Sequence, residues 1–297
     1  MMKKYICVFF LVVNSFVSGQ VINSLAKDSN GKLMLLGKTN KKAFENENFS
    51  WFKKNYDSYL TNDKIINKLK DLLQNYTIKA FYGSWCGDSK RELPKFYKVI
   101  DETHFNKDKL EVIAVDNKPE AYKAAPNGEE KGLNIHRVPT FILYKNNQEI
   151  GRIVEYPKQD IERDILAIVS GKKYSPHYIV VEYLHKIFEE KTVKELKSEE
   201  NKLAASLVEF TKGSRELNTY GYKLLRSNQL EKALFIFKLN TKMYPYKVNV
   251  FDSLGEAYLT NKNYNKALVN YNKALKLAPN DKNIASIIKQ IKTEINQ

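Results

Sequence analysis

The sequence predicts two architectures in series. The first is an α/β unit with a central mixed sheet and flanking helices, and the second is an all-α array of helical repeats. Three observations predict them. Trp85-Cys86-Gly87-Asp88-Ser89 sits at the joint between an apolar run, Ile78 to Tyr82, and a helix-like run, Lys90 to Glu102. An X-Pro step, Val138-Pro139, stands at the mouth of a later apolar run that begins at Phe141. Residues 214–281 superimpose on themselves when shifted by 34 positions, the mark of a two-helix repeat.

Residues 1–19 read as a secretory signal. Lys3 and Lys4 form its charged end, Ile6 to Val13 its apolar stretch, and Val17-Ser18-Gly19 a small-residue cleavage site before Gln20. The apolar stretch is too short to anchor the chain in a membrane, and Asn14 and Ser15 interrupt it. The expectation is export to a bacterial periplasm or cell envelope, with no stable membrane insertion once the signal is removed. Cys7 would leave with the signal, and Cys86 would be the only thiol of the mature chain.

Residues 20–174 are expected to form the α/β domain, with a helical extension at its start. The first part is polar, apart from Lys32 to Leu36, which reads as an edge strand. Trp51, Phe52, Tyr56 and Tyr59 give an aromatic stripe at helical spacing, a core pattern more than a ligand box. Asp63 reads as the N-cap of a second helix that carries Ile65, Ile66, Leu69, Leu72 and Leu73. A strand over 76–84 leads into Cys86 and a helix that Pro94 should kink. Leu110 to Val115 reads as a buried parallel strand, and residues 120–134 as a helix broken at Pro126-Asn127-Gly128. Phe141 to Tyr144 and Ile150 to Val154 flank Lys145-Asn146-Asn147-Gln148 as a hairpin. A closing helix carries Ile161, Ile165 and Ile168 and stops at Gly171.

Tyr174-Ser175-Pro176-His177 reads as the boundary, and 175–213 as a helical connector. The repeats then occupy 214–297, with Asn283 to Ile295 as a capping helix. The second copy carries Phe251, Leu254-Gly255, Tyr258, Ala267, Tyr271, Ala274 and Pro279. The first carries Leu217, Tyr220-Gly221, Leu224, Ala233, Phe237, Asn240 and Pro245. Small residues let paired helices approach, large ones fill between them, and proline ends each second helix. Two repeats seldom bury a core alone, so the connector helices are expected to pack on them as an irregular first pair.

Lys and Arg total 49 against 34 Asp and Glu, a net charge of +15. No basic run is interleaved with aromatics as a nucleic-acid groove needs, so a lysine-rich solvated surface is the reading and no nucleic-acid partner is expected. His104, His136, His177 and His185 show no ligand spacing, so neither a metal nor another cofactor is expected.

The first unit resembles the thioredoxin superfamily. That family carries W-C-G-P-C on a strand-to-helix turn, a helix proline eight residues after the first cysteine, and a cis-proline beside that cysteine. Cys86, Pro94 and Val138-Pro139 match these landmarks in order over roughly residues 65–170. The motif departs from the family at three points. Ser89 replaces the second cysteine, Asp88 replaces the middle proline, and Ala80 stands where many members carry a buried acid. The repeats resemble the tetratricopeptide family, which implies a protein or peptide partner.

The resemblance implies Cys86 as a catalytic nucleophile, with Ser89 beside it as a hydrogen-bond donor or a plain helix-start serine. Trp85, Gly87, Asp88, Val138 and Pro139 would line the substrate groove, where Val138-Pro139 would offer a backbone edge to an extended peptide. His136 and Arg137 flank that groove, as steering groups or as plain surface. A helix N-terminus with Lys90 and Arg91 favours a thiolate, and Asp88 opposes it. An ordinary thiol, of pKa about 8.5, is about 3% thiolate at pH 7, and bringing it to about 7 raises that roughly 16-fold. Lower nucleophilicity takes back about 6-fold, so tuning matters more for the leaving group than for attack. With one cysteine, no neighbour resolves a mixed disulfide. Two readings therefore stand: an envelope monothiol exchanger acting on client thiols or disulfides, and a non-catalytic module in which the same groove and the repeats bind protein.

Overall fold

The computed structural model describes residues 21–28 and 30–296, so the proposed signal lies outside the described residues. A six-stranded mixed sheet carries the first domain: β1 (Ser24–Lys27), β2 (Leu33–Thr39), β3 (Thr77–Tyr82), β4 (Leu110–Ala114), β5 (Thr140–Lys145) and β6 (Gln148–Val154). The order across it is β1-β2-β4-β3-β5-β6. β3 and β4 are parallel, with Ala80 opposite Val112, and every other pairing is antiparallel. β3 is therefore central and buried on both faces. Its alternating side chains divide accordingly: Ile78, Ala80 and Tyr82 join one apolar cluster and Phe81 the other. β2 lies inside the sheet and not at its edge as expected. The edge is β1, whose Ser-Leu-Ala-Lys has no apolar run to announce it.

Four helices flank the sheet: α1 (Trp51–Ser58), α2 (Asp63–Leu72), α3 (Gly87–Glu102) and α4 (Ile161–Val169). Phe52 of α1 stacks on Phe44 with ring centroids 4.2 Å apart and meets Tyr97 of α3 edge-on, so the aromatic stripe is core. The cap of α2 is Asn62, whose side chain accepts from Ile65 N–H, and Asp63 is the first helical residue. Pro94 lies inside α3. A proline there leaves the carbonyl one turn back without its helical donor. Lys90 O is that carbonyl, and Asn55 Nδ2 of α1 donates to it at 2.8 Å. The hairpin turn is Asn146-Asn147, both at positive φ (52° and 64°), the backbone that a two-residue turn between twisted strands requires.

Residues 120–134 do not form the expected helix. A short 3-10 turn at Pro119–Ala121 is followed by irregular chain. Lys123, Gly128, Gly132 and Asn134 all have positive φ, which a right-handed helix excludes.

The second half is helical: α5 (Ile179–Glu190), α6 (Val193–Leu196), α7 (Glu200–Leu207), α8 (Arg215–Arg226), α9 (Leu230–Met243), α10 (Val248–Thr260), α11 (Tyr264–Leu277) and α12 (Lys282–Ile295). α8–α9 and α10–α11 are the two repeat pairs. A Cβ on Gly221 would sit 2.6 Å from the Phe237 ring, so α8 and α9 touch at a glycine. Asn240 occupies the small-residue position of the first pair and is fully buried. Its Nδ2 donates to Asn218 Oδ1 (2.6 Å) and Ser214 O (2.8 Å), and Asn218 donates on to Ser253 Oγ (2.9 Å), tying α8, α9 and α10 together. Side chains of α5, α6 and α7 share one apolar cluster with the repeats, and Val154 of β6 belongs to it too. Val154 thus reaches from the sheet into the core of the helical array, while the sheet's other buried side chains form two clusters of their own.

Candidate functional site

Cys86 is the N-cap of α3 and half-buried. The strand-to-helix turn that positions it is closed by Cys86 N–H to Gly83 O (2.9 Å) and Lys90 N–H to Cys86 O (3.0 Å). Ser89 is fully buried beneath the turn, and its Oγ accepts from Gly83 N–H at 3.1 Å. No hydrogen bond joins Ser89 to Cys86 Sγ among those the described residues make. The serine holds the turn.

Trp85 stands beside the thiol with little freedom. Its Nε1 donates to Val115 O at 2.9 Å, and its ring leans on Tyr122 at 6.3 Å. A Cβ on Gly83 would lie 2.5 Å from the indole, so glycine is required there. Gly87 is exposed at the first position of α3. Asp88 follows it, and its carboxylate accepts from Arg91 at 2.7 Å. That pairing offsets the charge expected to oppose a thiolate.

The Val138–Pro139 peptide is cis, and both residues are buried. Val138 O accepts a hydrogen bond from Cys86 Sγ at 3.4 Å, which brings the two halves of the sequence motif together. A thiol can donate to that carbonyl and a thiolate cannot. Deprotonation therefore frees a backbone acceptor beside the sulfur. Pro139 O is already taken by Glu155 N–H at 2.7 Å.

His136 and Arg137 are not plain surface. Arg137 pairs with Glu155 at 2.7 Å and lies over the Tyr178 ring at 4.2 Å. It also donates to Thr219 Oγ1 (3.2 Å) of α8. Tyr178 OH donates to the other Glu155 oxygen. His136 is 1% exposed, and its Nδ1 lies 3.1 Å from Asn134 O. Burial, helped by the cations Lys123, Arg137 and Arg152, holds this imidazole well below its ordinary pKa against the opposing pull of the Asn134 carbonyl.

Sequence reasoning missed Tyr122, Lys123, Glu155 and Lys223. Lys123 is buried and its Nζ donates to His136 O at 2.6 Å. Lys223 of α8 donates to the carbonyls of Lys123 (3.1 Å) and Tyr122 (3.4 Å). Arg226 of α8 lies over the Tyr122 ring at 4.5 Å. No motif marks these residues. They meet because the irregular segment and the first repeat helix close on the same side of the cis-proline loop. No cluster of three or more His, Cys, Asp or Glu suited to a metal occurs among the described residues.

A central strand, a turn with a helix-capping cysteine and a cis-proline beside the sulfur define a thioredoxin fold, here joined to helical repeats. The comparisons with known proteins agree. Residues 54–167 match the thioredoxin family and residues 253–281 the tetratricopeptide repeat, so the chain carries a thioredoxin domain and a C-terminal tetratricopeptide repeat. Thioredoxin H2 of Arabidopsis thaliana is similar to it, at 29% identity over 85 residues. That match covers 29% of this chain and 56% of the relative.

Proposed function

We propose that the protein is an exported thioredoxin-like exchanger that works with one thiol on client proteins of the cell envelope, while its repeats hold a protein partner. The observation that carries this reading is the half-buried Sγ of Cys86 at a helix N-terminus, 3.4 Å from the carbonyl before the cis-proline. The Cys86 thiolate attacks a client disulfide, a new S–S bond forms as the old one breaks, and the displaced sulfur leaves as a thiolate. A small thiol, or the client's own second cysteine, then attacks the mixed disulfide and restores Cys86. Net oxidation state is unchanged when the client supplies both thiols, so the chemistry suits isomerisation and removal of mixed disulfides. The resemblance to a thioredoxin over part of the chain supports redox chemistry of this class, and the tetratricopeptide repeat supports a protein partner.

The alternative is a binding module without turnover. Ser89 favours it, because its hydroxyl is engaged by the turn and no second thiol stands in its place. A peptide carrying a glutathione mixed disulfide separates the two readings. Exchange predicts a covalent adduct at Cys86, release of the peptide thiol on adding free glutathione, and loss of both in Cys86→Ser. Client capture that survives Cys86→Ser unchanged, with no adduct in the wild type, rejects exchange and leaves the binding module.

A further inference from the structure

Lys123 lies in an irregular segment whose neighbours Glu120, Pro126 and Asn127 are exposed, yet it is itself only 4% exposed. Its backbone is left-handed, with φ 58°, a conformation that is costly for a non-glycine residue and persists where the surroundings impose it. Here they do. Lys123 N–H donates to Asp116 O at 2.8 Å, and Asp116 N–H donates to Ala124 O at 2.9 Å. This turn sends the side chain inward, over the Tyr122 ring at 4.4 Å, to the His136 carbonyl at 2.6 Å. His136 is two residues before Val138, the acceptor of Cys86 Sγ.

No carboxylate lies within ion-pair distance of this amine among the described residues. A buried cation without one is costly, and an apolar side chain would fill the space more cheaply. The groups that act on it come from several elements. Cys86 at the start of α3 and Glu155 after β6 favour the ammonium, whereas Arg137 in the cis-proline loop and Lys223 of α8 oppose it. Burial, followed by Arg137, brings the amine down to about 7. The neighbouring Tyr122 phenol is pushed up, chiefly by burial.

We propose that Lys123 is a positioning residue for thiol exchange at Cys86, its ammonium serving as the buried counter-charge of the thiolate. The proposal rests on the exchange reading above. When the thiolate attacks a disulfide, its lone pair forms the new S–S bond and the negative charge departs with the displaced sulfur. The ammonium has then lost the anion that favoured it, and it releases a proton to water. When a small thiol restores the Cys86 thiolate, the amine takes a proton back. A buried amine of this kind meets the charge change at the sulfur without any second cysteine. It also gives the first repeat helix a hold on the chemistry, because Lys223 of α8 bonds to the Lys123 carbonyl.

The test is the rate of Cys86 alkylation by iodoacetamide against pH, in the wild type and in Lys123→Met. The expected result is a rate at least threefold lower at pH 7 in the variant, with the high-pH plateau unchanged. A role confined to packing moves the whole curve by one factor. Superimposable curves, or a uniform scaling, overturn the proposal. Should Lys123→Met not fold, the wild type answers alone. The Lys123 amine is titrated by NMR before and after Cys86 is capped with a neutral methylthio group. A midpoint that falls by half a pH unit or more on capping supports the pairing, and an unmoved midpoint overturns it. Either readout is independent of turnover. A protein that shows the shifts but exchanges no mixed disulfide keeps the lysine–thiolate pair and loses the exchange function, and the converse pattern does the reverse.

Discussion

At the scale of single residues, the ionisable groups behind the thiol set how stability responds to pH. His136 is buried and neutral, and its pKa is depressed from the ordinary 6.5 by burial first and by neighbouring cations next. Below pH 6.5 the unfolded chain binds a proton at this position that the folded chain refuses. Stability is therefore present above that pH and lost as pH falls, by up to about 1.4 kcal/mol for each pH unit. Glu182, 3.8 Å from Nδ1, does not reverse the sign, since its own pKa is raised by burial and it carries less charge in acid. Urea unfolding at pH 5.0 and 6.5 should show a loss in the wild type of roughly 1–2 kcal/mol from this group, and a clearly smaller loss in His136→Gln. Equal losses in the two proteins would mean that the imidazole is protonated in place. Lys123 obeys the same sign in a higher window. Its amine is depressed from 10.5 to about 7, so its contribution grows as pH rises between those values. None of this could be read from the sequence. His136 and Arg137 stood beside a recognisable Val-Pro step, but whether they faced water depended on α8, which begins 78 residues after Arg137. Lys123 looked like any lysine of a basic surface.

At the scale of elements, legibility followed local physics. The strand before Cys86, the hairpin and the repeat helices were plain in the sequence, because apolar period and turn chemistry agree there. β1 was invisible, since an edge strand of four residues with two half-buried positions carries almost no hydrophobic signal. Residues 120–134 misled because their composition suits a helix, while contacts with Asp116, Glu130 and α8 impose left-handed turns. The site divides in the same way. Cys86 and Val138-Pro139 announced themselves, and their meeting at 3.4 Å is what the motif implied. The role of Ser89 as a brace for the turn required the Gly83 N–H to be located. The start of α2 was displaced by one residue, and that difference can be measured. Asn62 accepts from Ile65 N–H and caps the helix, whereas Asp63 has stepped inside it. Asn62→Ala should cost about 1 kcal/mol in thermal or urea unfolding, while Asp63→Ala should cost no more than the few tenths of a first-turn carboxylate. The reverse order would return the cap to Asp63.

At the scale of the whole molecule, the two domains are joined through the site itself. The cis-proline loop, which itself carries Cys86's partner carbonyl, runs into β5 on one side and is held by the repeats on the other. Arg137 is the tie: it pairs with Glu155, packs on Tyr178 ahead of α5, and bonds to Thr219 of α8. Val154, one residue before Glu155, lies in the apolar cluster of the helical array, so polar and apolar links run side by side. Removing one member of a largely buried ion pair leaves the other without compensation and costs about 3–5 kcal/mol. Arg137→Met keeps the length and apolar body of the side chain but strands the Glu155 carboxylate, and it cuts the bond to Thr219. The cost should fall mainly on the coupling between domains. Trp51 and Trp85 both belong to the sheet domain, so tryptophan fluorescence reports that domain, while far-UV circular dichroism is dominated by the helices of α5 to α12. In the wild type the links at Arg137 and Val154 predict coincident urea transitions by the two probes. In Arg137→Met the fluorescence transition should separate from the helical one and move to lower urea. Coincident transitions in the variant, with a loss below about 1 kcal/mol, would place the coupling in the apolar contacts around Val154 instead.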